Sequence, residues 1–148
     1  MSDQIQPWPV LRAGSRGHPV PALQYLLRDR RHAVTVDGTF GPGTEAAVEN
    51  FQHADLLKMD GIVGPRTWSA LVIVVSSGST GDAVRGVQEE FRFRDLSGEP
   101  GRTLAVDGVF GPRTMAAVLG FQQALGVAAD GIVGPVTWRA LVSGMLSL

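Results

Sequence analysis

Arginine directly after proline occurs twice in settings where a ligand could dock: Arg66 follows Pro65, and Arg113 follows Pro112. Each Gly-Pro pair reads as the opening of a helix, where the helix dipole mildly disfavours a cation. The placement makes chemical sense if a carboxylate docks between the guanidinium and free backbone N–H groups. The competing reading is an exposed arginine with its tip in water. Glutamines recur as well: Gln24 with Gln88, and Gln52 with Gln122, each directly after a core-type apolar residue. A side-chain amide there can satisfy loop backbone groups, which is the weightier reading. The alternative is a polar lining for a sugar or peptide. His53 and Gln123 occupy aligned positions beside the second pair. The candidate binding set is therefore Arg66, Gln52, His53, Arg113, Gln122 and Gln123, with no catalytic residue in it.

Other chemistries find little support. The sequence has no HExxH helix, Walker loop or GxSxG elbow. Asp37, Asp60, Asp107 and Asp130 each precede a glycine, where aspartate normally bonds its own turn backbone rather than working as a paired acid. His18, His32 and His53 have no histidine at their aligned positions, so a His53–Asp55–His32 metal site is disfavoured and surface histidines are expected. The DGTFGPGTEAAV stretch has Val48 where a calcium loop needs its twelfth-position Glu. With Cys 0, thiolate zinc sites, disulfides and Cys nucleophiles are excluded. No cofactor and no metal are expected. A net charge of −1 argues against nucleic acid, and no run is long enough to span a bilayer. The start, MSDQIQPWPV, has neither a basic nor an apolar signal region, which by itself predicts a cytosolic chain.

The elements that carry these residues form a tandem repeat. DGTFGPGTEAAVENFQHADLLKMDGIVGPRTWSALV (37–72) matches DGVFGPRTMAAVLGFQQALGVAADGIVGPVTWRALV (107–142) at an offset of 70. Upstream the offset is 64, so the second copy holds about six extra residues, placed within RFRDLSGEPGR between Arg92 and Arg102. Each copy repeats Asp-Gly-x-x-Gly-Pro-x-Thr twice, 23 residues apart. That is a turn delivering the chain into a helix with Pro in its first position. Helices are predicted over about Val20–Asp29 and its twin carrying Val84, Val87 and Phe91, and from Pro42, Pro65, Pro112 and Pro135. Ala47, Val48 and Phe51, and Ala117, Val118 and Phe121, should face the core. Val34 and Val36, like Leu104 and Val106, suggest a short extended piece. Trp68 with Leu71, and Trp138 with Leu141, read as core rather than sugar-stacking surfaces. Truncating Trp68 or Phe121 to Ala should cost ~3–5 kcal/mol. Trp8 should pack where the chain enters the first unit. The fold class is all-α: two closely packed three-helix bundles, residues 1–73 and 74–148, in fixed mutual orientation.

LRAGSRGHPVPALQYLL, DGTFGPGTEAAVENFQ and DGIVGPRTW together resemble the three-helix peptidoglycan-binding domain often appended to bacterial cell-wall hydrolases. SSGSTGDAVRGVQEEF, DGVFGPRTMAAVLGFQ and DGIVGPVTW resemble it again, so the resemblance covers about residues 8–143. It implies a monomeric, non-catalytic module that binds wall peptidoglycan, by glycan strand or stem peptide, and gains by avidity from its second copy. A separate wall hydrolase or a delivery machine would be its partner, with action at the wall or outside the cell. The rival expectation is a protein–protein interaction or delivery component that keeps the fold without the ligand, with the 92–102 insertion as a partner contact. A third is a wall hydrolase of another type.

Overall fold

The computed structural model describes residues 5–95 and 104–146. Over these it has six helices and no strand: α1 (Val20–Asp29), α2 (Pro42–Ala54), α3 (Pro65–Leu71), α4 (Asp82–Arg94), α5 (Pro112–Leu125) and α6 (Pro135–Val142). None is long and apolar enough to cross a membrane. Four helices begin on proline after an extended glycine, at Gly41, Gly64, Gly111 and Gly134. Proline there loses no helical hydrogen bond, because the first N–H groups of a helix have no partner inside it. α4 starts two positions earlier than α1 in aligned numbering. The first repeat has His18-Pro19 at that place, and a residue before proline avoids helical backbone.

In place of the extended pieces expected at Val34–Val36 and Leu104–Val106, the loops are tied by isolated antiparallel bridges. These are Leu11 with Val63 and Arg16 with Thr39, repeated as Val75 with Val133 and Thr80 with Val109. The apolar faces close as the helical period requires. Val48, Trp68, Leu71, Val118, Trp138 and Leu141 are fully buried, while Ala117 is half-buried. Trp8 stacks on Trp68 at 5.8 Å between ring centroids. Each core indole donates its N–H to the incoming chain, Trp68 to the Pro9 carbonyl at 2.7 Å and Trp138 to the Ile73 carbonyl at 2.8 Å.

The two repeats share one buried apolar cluster, and α1 packs along α4. Ala22 and Gly86 hold aligned positions at this crossing. A Cβ on Gly86 would lie 3.2 Å from the Trp138 ring and 3.7 Å from the Ala22 carbonyl, so any side chain there requires the ring to give way. The helices run antiparallel, with polar contacts at both ends. At one end, His18 Nε2 lies 2.7 Å from Glu90 Oε1, and its ring stacks on Phe93 at 3.9 Å. At the other, Asp29 Oδ2 accepts the Ala83 N–H at 2.7 Å. That is a helix cap supplied by the neighbouring repeat. Within each repeat an arginine closes the last short helix. Arg30 donates to the carbonyls of Ala70, Leu71 and Val72. Its counterpart Arg94 donates to those of Ala140, Leu141 and Met145. Of the expected insertion, Arg92–Arg94 belong to α4, and residues 96–102 lie outside the described residues.

Candidate functional site

Four loops of the same construction lead into α2, α3, α5 and α6, and each is built around one glutamine. Gln24 is fully buried. Its Nε2 donates to Asp37 Oδ1, the Thr39 carbonyl and Thr44 Oγ1 at 3.0–3.1 Å. Its Oε1 accepts the N–H groups of Asp37 and Gly38, both at 3.0 Å. Gln88 repeats this set with Asp107, Val109, Thr114 and Gly108. Gln52 serves the second loop through Asp60, Ile62, Thr67 and Gly61, and Gln122 does so through Asp130, Ile132, Thr137 and Gly131. In every loop the aspartate Oδ1 also accepts the N–H two residues on. The glycine after it has φ of 72–76°, a left-handed conformation that a Cβ would strain.

These bonds set the local electrostatics. The Thr39 N–H, then the Gln24 amide, hold the Asp37 carboxyl below its ordinary value. The Val109 N–H and Gln88 lower that of Asp107, with Arg85 contributing. The Ile62 N–H is the main cause of the lowering at Asp60, helped by Gln52 and the nearby Lys58 charge. Asp37, Asp60 and Asp107 are thus anions held by donors, in the arrangement their position before glycine predicts.

The candidate residues separate under this geometry. Gln52 and Gln122 are 1% exposed, and their amides are committed to the loops as the amide-to-backbone reading describes. His53, Gln123, Arg66 and Arg113 are exposed. Among the described residues, neither the Arg66 nor the Arg113 side chain has a hydrogen-bond or ion-pair partner. They do not form a matched pair, because Arg66 aligns with Val136 and Arg113 with Gly43.

Open clefts lie beside three of the Asp-Gly/Gly-Pro loops. The second loop of repeat one forms a cleft of about 320 Å³, with Leu56, Lys58, Asp60, Ile62 and Arg66 on its walls. The aligned cleft of repeat two, about 330 Å³, is walled by Val127, Ala128, Asp130, Ile132 and Val136. A third and wider hollow, about 730 Å³, lies at the first loop of repeat one, between Ala33–Thr35 and Gly41–Thr44. The buried threonines 44, 67, 114 and 137 were not singled out from the sequence. Their constant place seven residues after each loop aspartate was the available signal. Lys58, the single lysine of the chain, stands on the wall of the repeat-one cleft.

The family model of the putative peptidoglycan binding domain matches residues 16–71 and again 80–141. The chain belongs to this family. The first segment contains α1 to α3, the second α4, α5 and α6 as far as Leu141, and each holds both loops of its repeat. The peptidoglycan-binding fold thus occurs here twice, as two three-helix bundles joined through α1 and α4. The chain is similar to the zinc D-Ala-D-Ala carboxypeptidase of Streptomyces albus G, with 46% identity over 90 residues, covering 60% of this chain and 31% of that protein. It is 29% identical over 158 residues to a probable N-acetylmuramoyl-L-alanine amidase of Bacillus licheniformis, covering 90% of this chain and 45% of the amidase. The chain therefore spans less than half the length of these two relatives. Among solved structures it is similar to a Burkholderia AP3 phage endolysin, with 41% identity, 43% of this chain and 25% of that chain covered, and a TM-score of 0.43. It is similar also to the SleB N-terminal domain, with 38% identity, 43% and 89% covered, and a TM-score of 0.42.

Proposed function

We propose that this chain binds wall peptidoglycan without cleaving it, and that the clefts beside the Asp-Gly/Gly-Pro loops receive the polymer. The observation that carries this reading is an unpaired Arg66 on the wall of an open cleft, in a repeat of the peptidoglycan-binding family. A guanidinium held beside a cleft suits the carboxylates of stem peptides. His53, Arg113 and Gln123 extend the contact surface, while Gln52 and Gln122 shape it from beneath. The absence of cleavage is supported by how the recurring acids are used, since each loop aspartate is bonded into its own turn. With units taken as 1–73 and 74–148, the α1/α4 contact holds two weak sites at fixed separation on one monomer. A repeating polymer can then engage both, with gain by effective concentration. The relatives named as carboxypeptidase and amidase support a role in targeting wall enzymes, with a hydrolase or a delivery machine as the associated partner.

Co-sedimentation of the whole chain with purified sacculi tests this reading. Retention on sacculi with no release of muropeptides is expected, and Arg66→Ala and Arg113→Ala should each weaken retention with thermal midpoints close to the parent's. A chain that stays in the supernatant, or one that releases muropeptides, would overturn it.

A further inference from the structure

The two second-loop clefts have the same backbone but opposite electrostatic character. In repeat one, Lys58 and Arg66 line the cleft together with Asp60, two cations against one carboxylate. In repeat two the aligned residues are Ala128, Val136 and Asp130, so one carboxylate stands with no cation among the residues lining the cleft. Off the cleft wall the contrast reverses. Glu45 and Glu49 lie against Gly61 in repeat one, where their acids temper the two cations, whereas Met115 and Leu119 lie against Gly131 in repeat two. On the rims, Leu56 is 94% exposed in repeat one, while Ile132 and Val136 in repeat two are 44% and 39% exposed. Leu56 also takes φ 58° where the aligned Gly126 takes 79°, so a leucine stands in a backbone conformation that glycine meets without strain. Its side chain recovers no burial within the fold.

We infer that the two clefts are not duplicate sites. The cleft of repeat one selects a peptide segment bearing a free carboxylate, and the cleft of repeat two takes an uncharged part of the same polymer. This rests on the proposed binding of peptidoglycan and assigns different parts of that polymer to the two repeats. Lys58 and Arg66 face an incoming carboxylate from the cleft wall, and the Leu56 rim covers aliphatic side chains of the peptide. Asp60 offsets one of the two cations and is bonded to Gln52 and the Ile62 N–H just as Asp130 is to Gln122 and the Ile132 N–H, so the two walls differ by two positive charges. In repeat two no cation stands beside Asp130 on the cleft wall, and Val136 and Ile132 offer an apolar wall suited to the acetamido face of a sugar. Bivalent binding by this chain then requires peptide and glycan together, at the spacing α1 and α4 impose.

The test is an NMR titration of the full chain with three probes: an N-acetylated tetrapeptide with a free C-terminal carboxylate, its C-terminal amide, and an N-acetylglucosamine tetramer. The free acid should shift the amide signals of Gly61–Arg66 and bind roughly tenfold more tightly than the amide. Lys58→Ala with Arg66→Val should remove that preference, and both side chains are exposed, so the fold should survive. Ala128→Lys with Val136→Arg should create the same preference at Gly131–Val136. The sugar should shift Gly131–Val136 and leave Gly61–Arg66 in place. Equal binding of acid and amide, equal responses of both clefts to the acid, or no response at either loop would overturn the inference. If the chain still sediments with sacculi, the loss falls on this division alone; failure to sediment removes the underlying reading of function.

Discussion

Gln52→Leu separates loop architecture from ligand contact. Leucine has nearly the volume of glutamine, so the substitution removes hydrogen bonds and opens little space. Four partners lose their bond: Asp60 Oδ1, the Ile62 carbonyl, Thr67 Oγ1 and the Gly61 N–H. Asp60 Oδ1 keeps the Ile62 N–H and is exposed enough for water to replace the amide. Gly61 and Thr67 are buried and have no such recourse. Two buried groups left unmatched, at roughly 1–3 kcal/mol each, less the gain from burying an apolar side chain, give a loss of about 2–4 kcal/mol. For a chain of 148 residues that lowers the thermal midpoint by roughly 5–15 °C. Gln123→Leu is the control: next to Gln122, the repeat-two counterpart of Gln52, it is exposed and its side chain lies outside every loop bond, so it should change stability by less than about 0.5 kcal/mol. Thermal unfolding followed by circular dichroism reads both. A Gln52→Leu protein as stable as the parent would refute the reasoning, because the amide would then be dispensable to the loop.

Further outcomes follow from the same structure. Gly86→Leu drives a side chain into the Trp138 ring at the α1/α4 crossing, and should cost about 1–3 kcal/mol or more in urea unfolding. Leu56→Gly relieves a left-handed leucine, and should raise stability by roughly 0.5–1 kcal/mol after the extra chain entropy of glycine, while weakening peptide binding. Asp37, Asp60 and Asp107 have carboxyl pKa values below their ordinary ones. The stability they lend is present above the unfolded carboxylate range near pH 4 and is lost as the pH falls through their lower folded values. The urea midpoint should therefore be flat from about pH 7 to 5 and drop below about pH 4, and Asp37→Asn should flatten that drop.

Much of the architecture was legible because it is periodic. The two offsets, the Gly-Pro helix starts and the three-and-four spacing of Val48, Phe51, Trp68 and Leu71 fix six helices in two copies. The glutamines were legible as loop ligands because an amide beside a core residue has few other partners. The contacts between the repeats were hidden, because they join residues that break the repeat. His18 aligns with Asp82, Glu90 with Leu26 and Asp29 with Phe93, so no self-comparison pairs His18 with Glu90 or Asp29 with the Ala83 N–H. The contrast between the clefts was hidden as well. It lies where the copies differ, with Ala128 and Val136 in repeat two at the places of Lys58 and Arg66 in repeat one.

Binding of the wall polymer through the loop clefts is tested most directly by titrating the isotopically labelled full chain with soluble muropeptides released from sacculi. Saturable shifts should appear at the backbone amides of Gly61–Arg66 and Gly131–Val136, with the buried helix signals of Leu23 and Val87 unmoved. Saturable binding that leaves both loops unshifted, or no binding at all, would contradict it.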